Sequence, residues 1–443
     1  MTFQLFIKQK LKSKIIVNIL WLFFDKVIRL GLGVFVLILL ARYLGPEQYG
    51  LINYAQALVA IALAISGFGL YGIVVRDLVT TDDKYTLLGT AFAIRFIAAI
   101  VSYIGLMIAI ITLRPNDHSS IYIVAVLGFS LFFNTSDIVR YWYESQVKSR
   151  YTVFVENSIF MLLAAIKLLM IYFQCSVIAF VYAFTVEAAL SGFLLFLVYS
   201  KQEKLRQWQF SWLKAKCLLN DSWPLIISAF AWIVYTRIDQ IMIGQMLGDK
   251  EVGLYSAATR LSDVVNFFPM IIASSIIPVI LKHKDSAREI YEQQFQDIYY
   301  LIITMMIALA IFTLFFADDI IGLLYGSAYI ASSGVLKIHF WVIVFSALAI
   351  ISGKYFINDG NQILNMSRHT LGVILNIPLN YFLIPTLGIE GAAIATLASS
   401  VITYYFFDLF SKKSRKTFIF KTKALLFFWV FERRIFTKIF YKP

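Results

Sequence analysis

An all-α polytopic membrane protein is the fold class that this sequence predicts. Three observations predict it. Hydrophobic residues make up 60% of the 443, and charged ones only 15%, whereas soluble domains hold about 45–50% apolar residues. The apolar residues fall in runs of roughly 20, the length that crosses a bilayer as a helix. Lysine and arginine crowd into alternate loops, as they do on the cytoplasmic side of membrane proteins.

The runs give twelve spans: Ile15–Leu40, Leu51–Ile73, Leu87–Leu113, Ile121–Trp142, Thr152–Phe173, Val177–Tyr199, Trp223–Leu247, Val252–Leu281, Ile298–Phe316, Ser333–Phe356, Thr370–Ile384 and Ile389–Phe410. The eleventh is short and carries Pro378, which predicts a kink. The first follows Lys8, Lys10, Lys12 and Lys14, like a signal peptide. No small-residue cleavage site follows, however, and Asp25, Lys26 and Arg29 interrupt the run. It reads as an uncleaved first span. With the N-terminus in the cytoplasm, 28 cations lie in inner segments, against Arg42, Arg114 and Lys250 outside. That asymmetry places both termini inside and requires an even number of spans.

The net charge of +13 would suggest nucleic acid in a soluble protein. Here the cations sit in inner loops and no nucleic-acid motif accompanies them, so that class is excluded. Cys175 and Cys217 fall at opposite ends of one predicted helix hairpin and form no disulfide framework. His118, His283, His339 and His369 show no metal-ligand spacing, and no cofactor motif is present. Gly67-Phe68-Gly69-Leu70-Tyr71-Gly72 matches G-x-G-x-x-G, but it ends a membrane span rather than opening a βαβ unit. Close helix packing through small residues is the better reading.

An internal repeat organises the chain. Leu44-Gly45, Gly50-Leu51 and Ala55 recur as Leu247-Gly248, Gly253-Leu254 and Ala258 at a constant offset of 203 positions. Both copies sit between apolar runs, and each preceding run carries an arginine, Arg29 or Arg237. Such duplication places a substrate site between halves. The divisions that follow are an N-terminal bundle over 1–200, a cytoplasmic linker over 201–222, a C-terminal bundle over 223–410 and a basic amphipathic tail over 411–443. The linker and the tail both suit the surface of the anionic inner leaflet.

Charges inside the spans are the candidates for function. An arginine near mid-membrane costs about 2.5–3.5 kcal/mol on insertion scales, so it faces protein, water or a charged ligand. Lys26, Arg29, Arg237 and Arg260 lie on the first two spans of each repeat, and together they could line an anion site. Guanidinium forks match phosphate oxygens. Asp25 with Arg29 and Arg260 with Asp263 have helix-face spacing, so self-neutralised pairs are the structural alternative. Glu156, Glu187 and Asp239 lack a local partner. Each either carries a coupling proton or pairs across helices with Arg95 or Lys167.

Several segments carry a resemblance. Ala41-Arg42-Tyr43-Leu44-Gly45-Pro46-Glu47-Gln48-Tyr49-Gly50, Ile238-Asp239-Gln240-Ile241-Met242-Ile243-Gly244, Leu254-Tyr255-Ser256-Ala257-Ala258-Thr259-Arg260-Leu261 and Leu387-Gly388-Ile389-Glu390-Gly391-Ala392-Ala393 together resemble the Wzx-type O-antigen flippases. These are polysaccharide transporters of the multidrug/oligosaccharidyl-lipid/polysaccharide superfamily. The resemblance implies two six-helix bundles around a central cationic cavity. It implies alternating-access movement of an undecaprenyl-pyrophosphate-linked oligosaccharide from the inner to the outer leaflet of the cell's inner membrane. Lys26, Arg29, Arg237 and Arg260 would hold the pyrophosphate, with Asp25, Glu156, Glu187, Asp239 and Asp263 tuning those cations or coupling. The implied partners are the lipid-linked substrate, membrane lipids, an O-antigen polymerase and a chain-length regulator; nucleic acid is not among them. Two rivals differ in kind. A cation-coupled drug exporter of the same superfamily would want a net acidic cavity. A membrane glycosyltransferase, an O-antigen polymerase or ligase, would want a large catalytic outer loop, and the longest here is Ala317–Ser332.

Overall fold

A computed structural model describes residues 2–426, apart from 282, 283, 285 and 362. Lys282, His283 and the tail from 427 onward therefore lie outside the described residues. Fifteen α-helices follow one another: α1 Thr2–Gly67, α2 Leu70–Thr80, α3 Lys84–Leu113, α4 His118–Gly128, α5 Ser130–Phe133, α6 Asp137–Ser145, α7 Arg150–Tyr172, α8 Val177–Ser200, α9 Trp212–Met246, α10 Asp249–Val265, α11 Phe267–Ile280, α12 Arg288–Tyr325, α13 Ser332–Asn358, α14 Ile363–Tyr404 and α15 Arg415–Leu426. Among the described residues, ten stretches are long and apolar enough to cross a membrane. Two of them, Ile28–Thr80 and Ile363–Leu409, each contain a glycine break and hold two passes, which brings the passes to the twelve read from the runs.

Those breaks explain the repeat. Gly45 has φ 71° and ψ 170°, and its counterpart Gly248 has φ 99° and ψ 176°. This corner of dihedral space is essentially reserved for glycine, because any Cβ clashes there. Pro46 after Gly45 favours an extended ψ before it and a helix start after it. The chain turns back at this point. Before the break, Arg29, Gly33 and Tyr43 meet Glu156, Phe160 and Cys175 in turn, so this stretch runs alongside α7 in the same direction. After it, Tyr54 lies under Arg114, while Tyr71 and Arg76 reach Glu144 and Asp221 at the other end. In the G-x-G-x-x-G stretch only Gly69 is tight. It is left-handed between α1 and α2, and an added Cβ would meet Leu225 Cβ at 2.9 Å, whereas Gly67 and Gly72 face open space.

The chain forms two compact units, Met1–Arg237 and Ile238–Pro443. In the first, α2, α3, α6, α8 and the start of α9 bury a shared core that includes Leu70, Val74, Leu88, Ile138, Tyr143 and Tyr199. The stretch read as a linker docks on that core. Trp208 donates its indole N–H to Tyr199 Oη at 3.1 Å and packs on Phe92 and Phe196. Gly89 makes room for it, since a Cβ there would sit 2.5 Å from the Gln209 carbonyl. Phe210, Trp212 and Leu213 remain exposed. Cys175 and Cys217 are free thiols.

In the second unit α13 packs against α10, α12 and α14. Pro378 lies inside α14, and the helix breaks at Gly388 (φ 61°, ψ −142°). Gly391 lets the returning half pass the Leu383 carbonyl, 2.2 Å from where a Cβ would stand. Gly391→Ala is therefore expected to cost about 1–3 kcal/mol through overpacking. Gly105→Ala, which meets nothing within 4 Å, is expected to be near neutral. Thermal unfolding of the two purified variants in detergent checks the difference. The tail begins as α15, which packs on α12 with Thr417, Lys421 and Ala424 buried.

Candidate functional site

A cavity of about 330 Å³ opens in the first unit between α1, α6, α7 and α8. Its wall carries Arg29 from α1, Asp137 and Arg140 from α6, Glu156 and Lys167 from α7, and Glu187 from α8. Local sequence puts them there. The helix begun by α4 breaks over Asn134–Ser136 into a 3-10 turn, and α6 restarts with Asp137 and Arg140 one turn apart on a face turned to the cavity. Gly192 of α8 allows this break to pack, because a Cβ there would lie 2.8 Å from the Phe133 carbonyl.

Glu156 is the hub. Arg29 Nη2 donates to its Oε2 at 2.9 Å. Arg140 donates to Oε1 from Nε at 3.0 Å and also from Nη2. Arg29 Nε donates as well to Asp25 at 2.7 Å, and its guanidinium lies 5.7 Å from the centre of the Phe160 ring. Farther along, Lys167 Nζ donates to Glu187 Oε2 at 2.6 Å and stands 4.0 Å over the Phe184 ring. Arg95, buried on α3, donates to Asp137 at 3.0 Å and to Tyr141 Oη at 2.6 Å. Among the described residues three cations and three carboxylates thus share the cavity wall, where the sequence suggests a surplus of cations. Buried charges survive in lipid only when paired in this way.

Of the predicted residues, Asp25, Arg29 and Glu156 come together, and Glu187 lines the same cavity in a separate pair with Lys167. Glu156 takes arginines rather than the expected Arg95 or Lys167. Arg237 and Arg260 are half-buried on α9 and α10, and Asp263 is exposed. The Lys26 side chain lies outside the described residues. Arg140 escaped the sequence reading because it counted as an inner-loop cation. The signal was available in Asn134-Thr135-Ser136, three residues that disfavour a continuous helix interior.

Asp239 sits apart, in the second unit. It is buried, and it accepts from Tyr255 Oη at 2.7 Å, Asn380 Nδ2 at 2.7 Å and Thr396 Oγ1 at 2.5 Å. Asn380 Nδ2 also donates to Asn376 Oδ1 at 2.8 Å, and Asn380 Oδ1 is buried with no hydrogen-bond partner. All these side chains offer oxygen, the ligand that hard cations prefer. No group of three or more His, Cys, Asp or Glu residues capable of holding a metal occurs among the described residues.

A polysaccharide biosynthesis protein family model matches residues 15–284. The chain belongs to that family. A MatE model also matches, over residues 224–382, which sets the family within the superfamily suggested by the sequence motifs. A probable low-salt glycan biosynthesis flippase, Agl15, of Haloferax volcanii is 25% identical over 391 residues, 86% of this chain and 80% of that protein. The capsular polysaccharide biosynthesis protein CapF of Staphylococcus aureus is 23% identical over 380 residues, 84% of this chain and 93% of that one. The fold is shared with a solved lipid II flippase, MurJ, in an inward closed conformation. That match has a TM-score of 0.71 at 18% identity, covering 94% of this chain and 92% of the other.

Proposed function

We propose that this multi-pass membrane protein is a flippase for a lipid-linked polysaccharide unit. In the finer reading, it moves an undecaprenyl-pyrophosphate-linked O-antigen repeat from the inner to the outer leaflet of the inner membrane by alternating access. Both termini are cytoplasmic, and the product passes to an O-antigen polymerase and its chain-length regulator. The observation that carries this reading is the pair of arginines, Arg29 and Arg140, converging on one anionic group beside a cavity between apolar helices long enough to cross a membrane. A diphosphate is the headgroup feature that such forks hold best, while the isoprenoid tail stays in lipid. The printed names of Agl15 and CapF support a glycan substrate. Arg237, Arg260 and Lys26 are further candidate cations for the diphosphate, and Asp239 with its oxygen neighbours would hold the coupling cation.

The rivals fare worse. A drug exporter for cations needs unengaged carboxylates, yet Glu156 and Glu187 are both held by cations. A glycosyltransferase needs a large outer loop, but the segment read as the longest one is helical through Tyr325 and resumes helix at Ser332. The test is complementation of a strain that lacks its own O-antigen flippase. Arg29→Ala and Arg237→Ala are each expected to lower O-antigen display by roughly tenfold or more, with normal amounts of protein in the membrane. Full display in both variants would remove the arginines from the site.

A further inference from the structure

We propose that Glu156 is a resident stand-in for the substrate's phosphate, occupying the two-arginine seat between transport events and vacating it when the diphosphate arrives. This rests on the reading of the cavity as the diphosphate's seat. Three features of the geometry point to it. Each Glu156 oxygen is taken by a different arginine, so one carboxylate bridges two forks as a phosphate group would. The two guanidiniums reach the cavity with side chains 34% and 39% exposed, whereas Glu156 behind them is 7% exposed. Among the described residues the lining is already balanced in charge. A diphosphate entering an unchanged wall would leave it strongly negative in a medium of low dielectric, where such an imbalance costs several kcal/mol per charge.

One carboxylate must therefore leave its cations or take a proton as the headgroup docks. Glu156 is the acid whose departure frees two forks at once. The groups facing it are Asp25 and Arg29 on α1, Asp137 and Arg140 on α6, with Arg95 behind Asp137, and Lys167 and Glu187 farther along the cavity. The other acids keep their own partners, Arg29 for Asp25, Arg95 for Asp137 and Lys167 for Glu187. The exchange makes substrate selection a competition: a headgroup with one weak charge does not displace a carboxylate held by two arginines, and a diphosphate does.

The experiment measures binding of undecaprenyl diphosphate to the purified full-length protein in detergent, with undecaprenol as the uncharged control. Glu156→Gln is expected to bind the diphosphate roughly tenfold tighter than wild type, to flip it more slowly in vesicles, and to lose the gain in affinity that wild type shows on acidification. Arg29→Ala and Arg140→Ala are expected to lose diphosphate binding. Unchanged or weaker binding by Glu156→Gln, with binding lost in both arginine variants, overturns the exchange and leaves the seat standing. Wild-type binding in both arginine variants overturns the seat and the exchange together. Should Glu156→Gln fail to fold, Glu156→Asp decides. Its carboxylate, one methylene shorter, keeps its charge but spans the two forks poorly, so tighter binding supports the exchange and unchanged or weaker binding overturns it.

Discussion

Asp408→Asn is expected to cost about 3–5 kcal/mol of stability, because it strands two buried cations. Asp408 is fully buried. Its carboxylate accepts from Arg368 Nη2, from Lys421 Nζ at 2.7 Å and from Thr417 Oγ1 at 2.5 Å. Lys421 also donates to the Tyr404 carbonyl at 2.6 Å, and Arg368 donates to Ser352 Oγ at 2.8 Å while lying 4.3 Å over the Phe356 ring. An amide in place of the carboxylate leaves an ammonium and a guanidinium facing each other in a dry site. The element most exposed to the loss is α15, which Thr417 and Lys421 tie to Asp408. Thermal unfolding in detergent should show the loss, and limited proteolysis should cut the variant within 411–426 before wild type is touched. Asp408→Leu combined with Arg368→Met and Lys421→Met removes all three charges and is expected to restore most of the stability, as buried ion clusters replaced by apolar groups often do. A single Asn variant that melts with wild type would show that the cluster holds nothing.

That cluster marks where sequence reasoning stops. The spans were legible because crossing lipid demands about 20 apolar residues, and that demand is local. The turns at Gly45 and Gly248 were legible as a repeat, since only glycine tolerates their dihedrals. Arg29, Glu156 and Asp239 stood out as charges in apolar runs. Their partners did not, because pairing Arg29 with Glu156 depends on how α1 and α7 lie against each other, and no spacing along one chain encodes that register. Arg140, at the inner end of the fourth predicted span, counts with the inner-segment cations, and the break at Asn134–Ser136 that turns it to the cavity is not visible in the apolar run. The described start of the tail likewise has a partner that spacing does not show. Its basic and apolar residues suit a leaflet surface, and within it Thr417 and Lys421 bond Asp408, which lies in the 3-10 turn Phe406–Leu409 after α14. Net composition describes a surface well and a single buried partner not at all.

Asp239→Leu is expected to cost as much as any single change in the second unit, and Asp239→Asn to separate folding from function. Leucine takes away the acceptor of the Tyr255 and Thr396 hydroxyls and one of the two acceptors of Asn380 Nδ2, which keeps Asn376 Oδ1, at about 1–3 kcal/mol for each buried hydroxyl, so low yield and early unfolding should follow. Asparagine keeps the volume, and the Tyr255 and Thr396 hydroxyls can turn to accept from its amide. That variant should fold. What it lacks is the negative charge, and a buried carboxylate surrounded by neutral donors is costly unless a cation or a proton joins it. Wild type should therefore melt higher when sodium is added or when the buffer is acidified, since a ligand bound by the folded state stabilises it in proportion to its occupancy. The Asn variant should respond to neither, and its flipping rate should fall by roughly tenfold or more. A response to sodium alone or to acid alone identifies the coupling ion. An Asn variant that flips at the wild-type rate and keeps the wild-type response would take Asp239 out of coupling and leave it as a hydrogen-bonded anchor for α9, α10 and the two halves of α14.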